Sequence, residues 1–83
     1  MQVIVHPYAT ERLAERGVTL EEVIATVTNG EQFPAKFGRM GFRRHFPYDR
    51  SWRGRRYATK QVEVVAVEEQ ERWVVITVIA RYF

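Results

Sequence analysis

The residues best equipped for chemistry in this 83-residue chain lie between Lys36 and Lys60. That stretch holds nine of the thirteen cations, seven of them arginine, against a single acid, Asp49. The remainder carries four cations and nine acids, so a +8 segment sits beside a −5 remainder and the net +3 conceals both. Six of the eleven aromatics fall in the same stretch: Phe37, Phe42, Phe46, Tyr48, Trp52 and Tyr57. A guanidinium is planar, binds phosphate through paired hydrogen bonds and stacks on flat rings, which an ammonium does less well. Arginines between aromatics therefore suit a single-stranded nucleic acid, with charge meeting the backbone and rings meeting unstacked bases. On this reading Arg39, Arg43, Arg44, Arg53, Arg55, Arg56, Lys60 and Trp52 are the expected nucleic-acid contacts. The same pattern also fits a half-buried hairpin whose aromatics are core and whose charges are solvated.

Composition narrows the setting. There is no cysteine, which fits a reducing compartment. The start, Met1 to Pro7, lacks the basic and long apolar regions of a secretory signal. The apolar run after Arg72 falls well short of the ~20 residues that span a bilayer. One soluble cytoplasmic domain over residues 1–83, with no membrane contact, is the expectation. Two histidines without cysteine give no ligand cluster, and no Gly-rich phosphate loop is present, so neither metal nor cofactor is expected. A sequence pI near 9.7 favours an acidic partner.

The elements that must position these residues follow from periodicity and capping. Gln2–Val5 reads as a short apolar strand halted at His6-Pro7, where proline suits the first turn of a helix. That helix runs to about Arg16 and closes at Gly17, with Ala9 and Leu13 on one face and Tyr8, Arg12 and Arg16 on another. Thr19-Leu20-Glu21-Glu22 is a capping box. It opens a second helix whose apolar stripe is Leu20, Val23, Ile24 and Val27, ending at Asn29-Gly30. Only Gly17-Val18-Thr19 separates the two, so they form a tight helical hairpin. After Gly30 the period becomes two, Met40, Phe42, Arg44 and Phe46 alternating with Gly41, Arg43 and His45 as a half-buried strand expected to end at Pro47. Tyr48–Gly54 is then an irregular loop with Trp52 near its tip. Tyr57–Val67 is a second strand, Glu68–Glu71 an acidic turn, and Trp73–Phe83 an inner strand apolar on both faces. The expected class is α+β: a strand, a two-helix hairpin, then a three- to four-stranded antiparallel sheet covered on one face.

The run from His6 through Arg12, Arg16 and Gly17 to Glu21-Glu22-Val23 resembles a family pattern: a histidine, an arginine-rich helix ending in Arg-Gly, and a second helix with Glu-Glu-Val. Val74–Ile79 is similar to that pattern's closing strand. Together these resemble the domain of unknown function 4258 family over most of the chain. Ile79 stands where the pattern often has an aromatic, and residues 36–60 form the variable part. The resemblance implies a RelE/ParE-like fold, shared with toxins and small metal-independent ribonucleases, of one strand, two helices and an antiparallel sheet. Carried over by position, His6, Arg12, Arg16, Thr77 and Tyr82 are the candidate catalytic residues.

Metal-independent RNA cleavage requires a base for the 2′-hydroxyl, cations for the phosphorane and an acid for the leaving oxygen. His6 suits proton transfer near neutrality, Arg12 and Arg16 a phosphate clamp, Thr77 one hydrogen bond, and Tyr82 stacking or a proton. Alternation sets Thr77 with Arg81 on one face of the last strand and Tyr82 on the other, dividing the set unless the strand bends. Plainer roles stand beside these: His6 as a helix cap, the arginines paired with Glu11 and Glu15, Thr77 and Tyr82 as packing. The expected function is toxin-type RNA cleavage. The alternatives are an RNA-binding module using residues 36–60, or a domain whose basic strands receive an acidic antitoxin-like protein.

Overall fold

The computed structural model describes residues 1–83. In chain order it runs β1 (Gln2–Val5), α1 (Pro7–Arg16), α2 (Leu20–Asn29), β2 (Glu31–Pro34), a 3-10 turn at Lys36–Gly38, β3 (Met40–Trp52), β4 (Arg55–Glu69) and β5 (Arg72–Tyr82). One five-stranded sheet forms in the order β1-β5-β4-β3-β2. β1 lies parallel to β5, and the other neighbours are antiparallel. The sheet is therefore mixed and larger than the expected three- to four-stranded antiparallel one. The unforeseen strand is β2, where Glu31-Gln32-Phe33-Pro34 has a single aromatic and no apolar alternation. It survives as an edge strand, where proline is tolerated. The parallel pair exists because α1 and α2 together carry the chain over one face between β1 and the rest, as a crossover must.

Both helices end as their sequences dictate. His6 caps α1, Pro7 sits in its first turn, and Gly17 closes it at φ 69°. The capping box of α2 is complete: Glu22 N donates to Thr19 Oγ1 at 3.1 Å and Thr19 N to Glu22 Oε1 at 2.9 Å. Ala9, Leu13, Val18, Val23 and Val27 then pack on Phe42, Val62, Val64, Ala66, Val75 and Val78 of the sheet. Each fully buried valine contributes roughly 1.5–3 kcal/mol. The opposite sheet face carries no α-helix. No helix is long and apolar enough to cross a membrane.

Two strand expectations are corrected. β3 does not end at Pro47 but continues to Trp52 through an irregularity between Pro47 and Arg50, with Asp49 at φ 50°. A bulge is where a strand accepts proline. The expected irregular loop is instead the far end of a long hairpin, turned by Arg53-Gly54 at φ 51° and 82°. Positive φ at both central residues is the two-residue turn matched to strand twist. β5, expected to be inner throughout, is inner only at Arg72–Val75, the residues that pair with β1. Beyond Val75 it is an edge, because the chain leaves β1 at Val5 to enter α1.

Candidate functional site

At the start of α1, His6 Nδ1 accepts the Tyr8 N–H at 3.1 Å and the ring is exposed. One turn on, Arg12 donates to Tyr8 Oη at 2.8 Å, its guanidinium 4.7 Å from the Tyr8 ring centre. Neither Arg12 nor Arg16 forms an ion pair, so the pairing with Glu11 and Glu15 weighed from sequence does not occur. The two arginines border a cleft of roughly 220 Å³ together with Tyr8, Thr77 and Val78. Arg16 also borders a second cleft of roughly 300 Å³, with Trp52, Arg53, Ala80 and Tyr82. Arg16 borders both clefts, which lie one after the other as a furrow between α1 and the free edge of β5.

The far end of the furrow is aromatic. Tyr82 donates its hydroxyl to the Arg16 carbonyl at 2.6 Å and stacks on Trp52, ring centres 5.0 Å apart and nearly parallel at 16°. Tyr48 meets it edge-on at 5.2 Å. Gly17 makes this possible twice over: its φ of +69° disfavours a side chain, and a Cβ there would lie 2.6 Å from the Trp52 ring. Burial, reinforced by Tyr48 and Glu22, pushes the Tyr82 phenol up from 10.0 to about 12. Its proton is held firmly and already donated to a carbonyl. Tyr82 is a structural post at this site; of the stacking and proton roles weighed from sequence, its ring here stacks on Trp52 and its proton is engaged.

The basic segment disperses over the molecule. Lys60, expected on nucleic acid, is 1% exposed. Its ammonium lies 2.7 Å from Glu22 Oε1 and 2.5 Å from the Gly17 carbonyl. The reason is period two: Lys60 shares the buried side of β4 with Val62, Val64 and Ala66. Its charge ties the α1–α2 turn to the sheet and cannot reach a phosphate. Arg43 pairs with Glu31 at 2.9 Å and Glu63 at 3.2 Å on the uncovered face, above Phe33. Arg44 reaches the Ala25 carbonyl at 3.4 Å, and Arg56 pairs with Asp49 at 3.3 Å. Arg39, Arg53 and Arg55 have no carboxylate partner and lie against Phe37, Trp52 and Tyr57. Arg53 also donates to the Glu15 carbonyl at 2.7 Å, pinning the hairpin tip to α1.

Of the five candidate catalytic residues, Arg12, Arg16 and Thr77 meet at one cleft, while His6 borders neither cleft. Thr77 and Tyr82 do lie on opposite sheet faces, as alternation required: Thr77 pairs with Val65 on the uncovered side, Tyr82 with buried Lys60. Two neighbours of the furrow were not singled out from sequence. Tyr8 was legible as the i, i+4 neighbour of Arg12. Arg50, 4.8 Å from the Tyr48 ring centre, repeats the arginine-next-to-aromatic spacing of its segment and gave no other signal.

A helical hairpin laid on one face of a mixed five-stranded sheet, with an arginine-lined furrow at its junction with the last strand, defines a small α+β domain. The sequence profile of the domain of unknown function (DUF4258) matches residues 8–80, and the chain belongs to that family. No curated protein and no solved structure matches it.

Proposed function

We propose that this protein binds single-stranded RNA along the furrow between α1 and β5, onward to the tip of the β3–β4 hairpin. The observation that carries the reading is a set of guanidinium groups without carboxylate partners, Arg12, Arg16, Arg50 and Arg53, among the rings of Tyr8, Tyr48 and Trp52. Arg53 holds the Glu15 carbonyl and Arg12 the Tyr8 hydroxyl with one nitrogen each, and a guanidinium without an ion pair keeps further donors for phosphates while nearby rings offer surfaces on which bases stack. The RelE/ParE-like kinship that the family resemblance implies favours RNA as the strand. Cleavage is the weaker reading. The furrow holds cations and is bordered by Thr77, but His6 caps α1 outside it and the Tyr82 proton is engaged. Binding alone needs neither.

The test is fluorescence anisotropy with labelled oligouridine over a salt series. With about four phosphates neutralised on a single strand, the log–log slope is about −3, and affinity falls about 50-fold between 50 and 200 mM salt. Arg12→Gln with Arg16→Gln flattens the slope by more than ~1. No binding at low salt, or an unchanged slope in the double variant, overturns the reading. Incubating the same RNA in EDTA with wild type and His6→Ala decides on chemistry. Cleavage that drops at least ~100-fold in His6→Ala restores the ribonuclease reading.

A further inference from the structure

β5 changes status part-way along its length. Arg72 to Val75 pair with β1 on one side and β4 on the other, and beyond Val75 only the β4 side is covered. Thr59 and Phe83 exchange both backbone hydrogen bonds, at 2.7 and 3.0 Å, and the register runs unbroken from Lys60–Tyr82 to Val65–Thr77. Bonded and non-bonded pairs alternate along an antiparallel ladder. Thr77, Ile79 and Arg81 therefore turn their N–H and C=O groups toward β4, while Val78, Ala80 and Tyr82 turn theirs outward. Neither β1, which ends at Val5, nor any side chain meets these outward groups. They face the furrow, Val78 at one cleft, Ala80 and Tyr82 at the other. Natural edges are commonly guarded by proline or charged side chains; Ile76–Tyr82 contains no proline or lysine, and its one charge, Arg81, lies toward Glu63 on the uncovered face.

We infer that this edge receives one extended, acidic segment of a partner protein, which pairs beside β5 as a sixth strand. The inference stands on the unpaired peptide groups and is independent of the RNA reading. In strand addition the main chain supplies affinity and alternate side chains supply selectivity. On the helix side, alternate residues of the incoming segment meet Arg12, Arg16 and Arg53, which lack carboxylates of their own, so Asp or Glu belongs there. On the other side they run beside Thr77 and Ile79, where β-branched apolar residues fit. Val78 to Tyr82 extends about 16 Å, enough for a segment of about five residues. A second copy joined through the same edge would bring two arginine rows together, and that like-charge contact opposes self-pairing.

The test uses the intact protein and a labelled short peptide of alternating Glu and Val, beside a control N-methylated at alternate amides. The expected result is saturable binding of the plain peptide and at least ~10-fold weaker binding of the methylated one, as loss of several main-chain hydrogen bonds requires. On binding, the amides of Val78, Ala80 and Tyr82 become protected from hydrogen exchange. Arg12→Gln with Arg16→Gln weakens the plain peptide. Absence of binding, or equal binding of both peptides, overturns the inference. Protection of those amides that grows with protein concentration and without peptide also overturns it, in favour of a second copy. Oligouridine on the same sample reads separately: RNA binding without peptide binding leaves the proposed function standing and removes this one.

Discussion

At Lys60 the ammonium touches Glu22 and the Gly17 carbonyl and faces the rings of Tyr48 and Tyr82. Glu22 is 20% exposed at its side chain and Lys60 2%, so the two ends of this pair tolerate loss of their partner unequally. Glu22→Gln leaves a buried cation unpaired, and urea denaturation should register a loss of about 3 kcal/mol. Lys60→Met should cost less, because the carboxylate it strands still accepts from Thr19 and reaches water. RNA affinity should be unchanged in Lys60→Met; a flattened salt slope there would put this lysine back on the binding surface.

Tyr82 carries a pH dependence with a definite sign. Its pKa in the fold is raised from 10.0 to about 12, chiefly by burial. Between those values the unfolded chain has lost a proton that the folded chain retains, so stability falls as pH rises from 10 toward 12. Below 10 the contribution is fully present. Tyr82→Phe should remove that slope in alkaline denaturation curves and, at neutral pH, lose about 1 kcal/mol with its hydrogen bond to Arg16. A Phe variant whose alkaline slope matches wild type would show that other groups produce it.

Among the elements, those closed by local chemistry were legible in the sequence. Pro7, Gly17 and the Thr19–Glu22 box each mark a helix end through residues adjacent in the chain, and nothing distant is needed to place them. Glu31–Pro34 becomes a strand only because β3 lies beside it, and its own residues carry no such signal. Pro47 misleads for the same reason: its neighbours across the ladder, not its own geometry, keep β3 running to Trp52. The furrow was half legible. Arg12 and Arg16 follow from helical spacing, whereas the approach of Trp52 to Gly17 depends on the whole hairpin folding back. Gly17→Ala tests that approach. It forces a side chain into a left-handed position and against Trp52, and should lower stability by more than ~2 kcal/mol. Thr19→Ala, a cap loss alone, should cost about 1 kcal/mol. Equal melting temperatures for the two variants would contradict the packing described at Gly17.

For the molecule as a whole, charge is sorted less cleanly than along the chain. The acids outside the basic segment return to it in space: Glu31 and Glu63 take Arg43, Glu22 takes Lys60, and Glu63 also approaches Arg81 at 3.7 Å. Of the cations left without an ion pair, Arg12 and Arg16 lie on α1 and Arg50, Arg53 and Arg55 near the hairpin tip, while Lys36, Arg39, Arg44 and Arg72 are spread over the rest of a body measuring 41 × 24 × 21 Å. The placement of β5 has a consequence for how this chain comes to be folded. The strand is the last element in chain order, yet it pairs with both β1 and β4 and supplies Val75 and Val78 to the core. While the protein is being synthesised from its N-terminus, β1 has no strand to join and α1 has no strand face to lie on until β5 has emerged. The early segments must wait with their apolar faces uncovered, and docking then occurs late and at long range, the regime in which folding is slow and aggregation competes.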